Sequence, residues 1–143
     1  MKGVNFVLSS AERVLNIAGT IPVICIASGT LRIELSKIQM IAGTTLAIVG
    51  SVLAVGASLV NSPEKKQLFG RLAVFGVEQM IHSQLNLYRG MVETFLGIST
   101  FGIANVALGA GQVFRLFSPI VSYGVLTNRF FIPIPKTPHP IGA

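Results

Sequence analysis

The feature that most constrains this chain is a stretch of 26 residues, Ile38–Pro63, that contains no charged side chain. Its core, 39–60, has about the 20 residues that a helix needs to cross the hydrocarbon of a bilayer. Lys37 precedes the stretch, and Lys65 and Lys66 follow it closely. The stretch therefore predicts a transmembrane helix over about 39–60.

Two more uncharged stretches flank the first. The stretch 94–114 lies between Glu93 and Arg115 and is also long enough to cross a bilayer. The stretch 14–31 contains Pro22, which removes a backbone donor and favours a break near Thr20–Pro22. We predict a second span over about 94–114, and we leave 14–31 open between a kinked span and a re-entrant or interfacial segment.

The composition agrees with a membrane protein. Hydrophobic residues make up 51% of the 143 residues and charged residues 11%, and the mean hydropathy is +0.71. A soluble domain typically carries about 25% charged residues. We therefore predict an all-α, multi-pass integral membrane protein of four or five helices with at least two transmembrane spans. It forms one domain, 1–132, followed by a proline-rich extended tail, 133–143.

The net charge of +6 has two interpretations, nucleic-acid binding or contact with anionic lipid. Nucleic-acid binding proteins cluster Lys and Arg on one face, whereas here these residues are scattered at the edges of apolar stretches. The pattern favours lipid headgroups as the partner and argues against nucleic acid. The distribution of Lys and Arg favours cytoplasmic termini.

A long amphipathic helix is predicted over 63–93. Ser62, Pro63 and Glu64 provide a cap residue, a proline at the first position and an acid near the positive end of the helix dipole. One face of this helix carries a polar stripe: Glu64, Arg71, Glu78, His82, Asn86, Arg89 and Glu93. The stripe could face water at the membrane surface, pack inside a helical bundle or line a pore.

Shorter polar faces occur elsewhere. One lies in the N-terminal segment and comprises Asn5, Ser9, Glu12 and Asn16. Another precedes the first predicted span and comprises Arg32, Ser36 and Gln39. Within the stripe, Glu78 and His82 are four residues apart, as are Arg89 and Glu93, so each pair can form a contact on the helix surface.

Small residues recur every four positions in the predicted spans. The sets are Gly43, Ala47 and Ser51; Gly50, Ala54 and Ser58; and the pair Ala107 and Gly111. Such faces let helix backbones approach closely in lipid. They predict helix packing and self-association of the protein.

The sequence contains no recognisable catalytic set. The two histidines, His82 and His139, lie in different kinds of segment, and Cys25 is the single cysteine. No zinc-protease, nucleophile-elbow or phosphate-loop motif occurs. We predict a non-enzymatic protein without a metal or cofactor.

The segment from His82 through Asn86, Arg89 and Gly90 to Glu93 resembles a pattern in small hydrophobic multi-helix membrane proteins of chlamydia-like intracellular bacteria. The stretch 21–39 is similar to the part that precedes the first span in that group. The resemblance implies a bacterial membrane location. The paired apolar helices of some members differ from this chain, which places a long amphipathic helix between its apolar stretches.

Together these features predict a structural or interaction protein of the membrane that associates with itself or with other membrane proteins. The alternative is a small channel or holin-like permeabiliser, in which the polar stripe of 63–93 lines a pore.

Overall fold

A computed structural model describes residues 2–106 and 122–130 of the chain. The elements are α1 (Lys2–Ala18), α2 (Ile24–Leu59), α3 (Pro63–Thr100), α4 (103–106) and α5 (Val125–Phe130). Helices and turns account for these residues, and they contain no strand. The predicted all-α class is confirmed. The tail 133–143 and the pair Ala107 and Gly111 lie outside the described residues.

The predicted break at Thr20–Pro22 is confirmed. α1 ends at Ala18, and a turn follows in which the amides of Thr20 and Ile21 donate to Ile17 and Ala18. Val23 has a φ of 71° and precedes α2. Because Pro22 lies in this turn, the stretch 14–31 is divided between two helices and does not form one span.

The first predicted span belongs to a longer helix. α2 has 36 residues and extends well before residue 39. Among the described helices, α2 is the one whose length and hydropathy are sufficient to cross a membrane.

The predicted start of the next helix is also confirmed. Pro63 occupies the first turn of α3, and Ser62 has the extended backbone of a cap residue. Its side chain makes no cap hydrogen bond. Backbone groups close the turn instead, since the amide of Ser62 donates to Ala57 and the amide of Lys66 donates to Ser62.

The predicted boundary between an amphipathic helix ending at residue 93 and a span over 94–114 is wrong. α3 continues without interruption to Thr100. Phe101 and Gly102 then have φ values of 51° and 85°, so the stretch is not a single helix. Gly102 permits this turn to pack closely, because a Cβ there would lie 2.7 Å from Pro22 Cα. Residues 107–114 lie outside the described residues.

α2 and α3 pack against each other as an antiparallel hairpin, with small residues at their contact. In α2 these residues repeat every seven positions: Gly29, Ser36, Gly43, Gly50 and Ala57. All five are buried. In α3 the same period relates the buried residues Gly76, Ser83, Gly90 and Gly97. A seven-residue repeat keeps one seam of a helix against its partner, and small side chains bring the backbones close.

The glycines show how close the backbones are. A Cβ on Gly29 would lie 2.9 Å from the Gly90 carbonyl oxygen, and one on Gly43 would lie 2.8 Å from that of Gly76. Ala47 also packs on Gly76. Ala54 is half-buried. Of the predicted small residues, Gly43, Ala47 and Gly50 therefore make their contacts within the chain, while Ser51 and Ser58 stay exposed.

Polar side chains lie mainly inside this structure and apolar side chains mainly outside, which is the reverse of a soluble protein. Among the described residues, the buried hydrophobic ones are Leu15, Cys25, Ala57 and Phe75. Twelve polar or charged residues are buried. Large apolar side chains instead cover the outside of α1, α2 and α3, and Leu59 and Phe101 are each 85% exposed.

Candidate functional site

Most of the buried polar residues form one group, together with the half-buried Gln39, Arg89 and Tyr123, where α1, α2 and α3 meet the turn before α5. We call this group the polar cluster. Its members are Glu12, Asn16, Arg32, Ser36, Gln39, Glu78, Gln79, His82, Asn86, Arg89, Glu93 and Tyr123. Asn16 and Glu12 come from α1 because its polar face turns inward.

Arg32 lies at the centre of the cluster with only 1% of its surface exposed. Its guanidinium donates from Nε to Glu93 Oε2 at 3.3 Å, from Nη1 to Asn86 Oδ1 at 3.3 Å and from Nη2 to Asn16 Oδ1 at 2.9 Å. A buried charge is tolerated only when it is paired and hydrogen-bonded. Arg32 therefore joins all three long helices through one side chain.

Glu93 connects the arginines and the turn at the end of α3. The predicted contact with Arg89 is present, since Arg89 Nε donates to Glu93 Oε1 at 2.7 Å. The Glu93 carbonyl oxygen accepts from Asn105 Nδ2 at 2.9 Å. A Cβ on Gly19 would lie 3.1 Å from the Glu93 carboxyl group. Helix α4 and the α1–α2 turn are thus both held near Glu93.

Glu78 binds the first turn of α5. Its two carboxylate oxygens accept from the Leu126 amide at 3.3 Å and from Thr127 Oγ1 at 2.6 Å. The sequence predicted a contact between Glu78 and His82, and the structure directs the Glu78 carboxylate towards α5.

His82 stacks on Tyr123, with ring centroids 3.8 Å apart and planes inclined by 12°. The Tyr123 hydroxyl forms hydrogen bonds with the side chains of Gln39, Asn86 and Glu12. Burial, and secondarily the nearby Glu12 carboxylate, raise the pKa of Tyr123 to about 12. This tyrosine thus contacts side chains of α1, α2 and α3.

Side-chain amides extend the polar cluster towards the middle of the hairpin. Gln39 Nε2 donates to Gln79 Oε1 at 2.8 Å, and Gln79 Nε2 donates to Asn5 Oδ1 at 3.3 Å. Together with the bonds of Arg32, these amides show that α1 runs antiparallel to α2. A hydrogen-bonded column therefore extends from Asn5 to Asn105.

A small pocket of about 30 Å³ opens beside Arg32, and residues of α1, α2, α3 and the turn before α5 line it. Glu12, Asn86 and Tyr123 supply much of its polar wall. That volume accommodates a water molecule, which needs roughly 10–15 Å³. The described stripe residues fill the interior with side-chain contacts instead of lining a wide passage.

The predicted polar stripe divides into two parts. Glu78, His82, Asn86 and Glu93 are buried and Arg89 is half-buried, so these five belong to the polar cluster. This arrangement corresponds to the bundle-internal alternative. Glu64 is exposed and Arg71 is half-buried, and both lie nearer the turn between α2 and α3.

The polar faces of α1 and α2 are evident from the sequence, but their contact with α3 was not predicted. The face of α1 supplied Asn5, Glu12 and Asn16, and the face of α2 supplied Arg32 and Gln39. Tyr123 was missed, because an isolated tyrosine in an apolar stretch gives no periodic signal.

The polar cluster consists of ion pairs and hydrogen bonds between side chains of the protein. Among the described residues, no group of three or more His, Cys, Asp or Glu side chains is arranged to hold a metal ion. Its evident chemical effect is to hold four chain segments together.

Comparison with protein-family models, curated proteins and solved structures finds no match to this chain. The resemblance to membrane proteins of chlamydia-like bacteria stays a prediction.

Proposed function

We propose that this chain is a non-enzymatic, multi-pass integral membrane protein with a structural or interaction role. The observation that carries the proposal is the inverted distribution of side chains. Arg32 and Glu78 are almost completely buried, whereas Leu59 is 85% exposed and Val52 and Val55 are each more than 60% exposed.

The free-energy cost of exposing apolar surface to water supports this proposal. Burying apolar surface away from water stabilises a protein by about 25 cal/mol for each Å², and surface left exposed to water loses this stabilisation. Soluble monomers therefore rarely expose continuous apolar patches larger than a few hundred Å². The apolar residues of this chain cover the outside of all three long helices. Acyl chains contact such side chains without that penalty, so lipid is the solvent that fits the exterior of the hairpin around Val52 and Val55.

The polar cluster has a structural role in this proposal. In lipid, apolar side chains gain little by packing on each other, and polar contacts and close backbone packing hold helices together. Arg32 and Glu93 provide the polar contacts, and Gly43 and Gly76 provide the close packing. The cluster therefore fixes how α1, α2, α3 and α5 are arranged.

Membrane integration is tested by extracting membranes at alkaline pH, which releases peripheral proteins. We expect the protein to remain in the membrane pellet and to dissolve in detergent. Release into the alkaline supernatant would contradict the proposal.

Self-association forms a further part of the proposal. Ser51 and Ser58 are one heptad apart and exposed on the side of α2 next to the hairpin contact, where they allow another helix to approach closely. In a Cys25→Ser background, Ser58→Cys should form a crosslinked dimer in membranes. The adjacent Ala57→Cys is the matched control, because Ala57 is buried against α3. Monomer alone from Ser58→Cys would remove self-association through this face.

The channel alternative draws on the length of the polar column. Liposome leakage tests it directly, because a pore releases an entrapped dye and a packed structural protein does not. Leakage by the native protein that disappears in Glu78→Leu would favour the channel.

A further inference from the structure

The hairpin is longer than a bilayer is thick. At 1.5 Å per residue, the 36 residues of α2 measure about 54 Å. The hydrocarbon core of a bilayer measures about 30 Å. If the protein is an integral membrane protein as proposed above, a hairpin oriented across the bilayer has only part of its length in hydrocarbon.

A first ring of interfacial side chains surrounds the hairpin near its middle. Glu34 and Lys37 are exposed and paired at 2.7 Å. Arg13 is exposed, and it lies about level with Leu35 because Asn16 contacts Arg32 and α1 is antiparallel to α2.

Tyr88 completes this first ring. It is 72% exposed and lies near the level of Leu31, because Gly90 packs on Gly29. Tyrosine and charged side chains are the residues that gather at a membrane–water interface.

A second ring lies near the α2–α3 turn and comprises the exposed residues Glu64, Lys65 and Lys66. Gly43 faces Gly76 in the antiparallel hairpin. Lys66 lies ten residues before Gly76, and Leu53 lies ten residues after Gly43, so Lys66 and Leu53 are at the same level of the antiparallel hairpin.

The distance between the two rings follows from the rise of the helix. From Lys37 to Leu53 is 16 residues, or about 24 Å, and from Lys37 to the end of α2 is 22 residues, or about 33 Å. The two distances bracket the thickness of the hydrocarbon.

On α2 and α3, the surface between the rings is apolar. Residues 38–60 carry no charge, and Ile41, Val52 and Val55 are each more than 60% exposed. On α3, His82 is level with Lys37, so residues 67–81 lie between the rings. They include two charged side chains, Glu78, which is buried and accepts a hydrogen bond from Thr127, and the half-buried Arg71. A long side chain of this kind can keep its stem in apolar surroundings while its head reaches towards polar ones. We call residues 38–60 and 67–81 the tip band.

We infer that the tip band is the part of the hairpin that spans the hydrocarbon, with Lys65 and Lys66 at the lipid phosphates of one leaflet. Arg13, Glu34, Lys37 and Tyr88 lie at the opposite interface, on the same side as the ends of α1 and α3 remote from the tip. The partner of this surface is a phospholipid bilayer. This inference depends on the proposed membrane location and adds the position of the bilayer along the molecule.

Cysteine accessibility in sealed vesicles tests this placement. Three single-cysteine variants are made in a Cys25→Ser background: Arg13→Cys, Val52→Cys and Glu64→Cys. All three native side chains are exposed, so the substitutions leave the buried contacts intact. Circular dichroism checks that each variant remains helical. A membrane-impermeant maleimide is added before and after the vesicles are opened.

We expect Arg13→Cys and Glu64→Cys to be labelled from opposite sides, and Val52→Cys to resist labelling even in opened vesicles. Labelling of Val52→Cys, or labelling of both other variants from one side, would overturn the inference if the protein stays in the membrane pellet. Loss of the protein from that pellet would instead contradict the proposed function.

Discussion

Gly43 of α2 and Gly76 of α3 are in direct backbone contact, because a Cβ atom on Gly43 would lie only 2.8 Å from the Gly76 carbonyl oxygen. The contact on the other side is as close, since a Cβ on Gly76 would meet the backbone of Ala47. The neighbouring atoms belong to helix backbones, which cannot move aside as a flexible side chain can. The two helices can pack in this way only with glycine at both positions.

Gly76→Ala should therefore destabilise the hairpin. Overpacking of a close contact costs about 1–3 kcal/mol. The matched control is Gly56→Ala, because Gly56 also lies within a long helix and a Cβ there would have nothing within 4 Å. Alanine in a helix is favoured over glycine by up to about 1 kcal/mol, so the control should be neutral or stabilising. Equal thermal stability of the two variants in detergent would argue against the close contact.

Glu93→Gln should be strongly destabilising. The substitution leaves the buried guanidinium of Arg32 without its carboxylate, and breaking a buried pair typically costs about 3–5 kcal/mol. Glu34→Gln also removes one carboxylate from an ion pair, but Glu34 and Lys37 are both exposed, so the expected cost is about 0–1 kcal/mol. Unfolding in detergent compares them, and a Glu93→Gln protein as stable as Glu34→Gln would show that the buried pair is unimportant.

Gly102→Ala should disturb the turn after α3. The residue has a φ of 85°, which alanine adopts only with strain of about 1–3 kcal/mol, and its Cβ would press on Pro22. We expect a lower unfolding temperature and faster proteolysis near residue 102. Gly3→Ala serves as the control, because a Cβ on Gly3 has nothing within 4 Å. Native-like proteolysis of Gly102→Ala would contradict the left-handed conformation of this turn.

Tyr123 should ionise at unusually high pH. In a Tyr88→Phe background it is the single tyrosine, and its ultraviolet absorbance change should have a midpoint near pH 12 instead of the ordinary 10.0. Because the pKa is raised in the folded state, the neutral hydroxyl stabilises the fold below pH 10, and this stabilisation is lost as pH rises towards 12. A midpoint near 10 would indicate that Tyr123 is exposed to water.

Tyr123→Phe tests the hydrogen bonds of the same side chain. Loss of bonds to Gln39, Asn86 and Glu12 should lower the stability by about 1–3 kcal/mol, because buried polar partners are left behind. Tyr88→Phe removes a hydroxyl from a residue that is 72% exposed and should change the stability little. Similar stabilities would mean that the Tyr123 hydroxyl does not contribute to the cluster.

The sequence was most informative where one residue imposes a local conformation. Pro22 placed the break between α1 and α2, and Pro63 placed the start of α3. The end of α3 was missed because the uncharged stretch continues past Gly102, and hydropathy alone gives no sign of a left-handed turn. Glycine inside a membrane helix and glycine that ends one have the same hydropathy.

Periodicity showed that Glu78, His82 and Glu93 share a helix face, but it did not choose among lipid surface, bundle interior and pore. That choice depends on which side chains the other helices direct at the face. Arg32 is separated from Glu93 by 61 positions along the chain, so their pairing follows from the antiparallel hairpin and not from local spacing. The small-residue sets likewise revealed close packing without identifying α3 as the partner.

The most direct test of the account is whether lipid contacts the exposed apolar surface. The chain contains no tryptophan, so Val52→Trp places a single fluorescent reporter on a side chain that is 64% exposed in the tip band. In reconstituted vesicles we predict that phospholipids brominated on their acyl chains quench its fluorescence and that aqueous iodide does not. Quenching by iodide, with no effect of the brominated chains, would contradict the claim that this surface faces lipid.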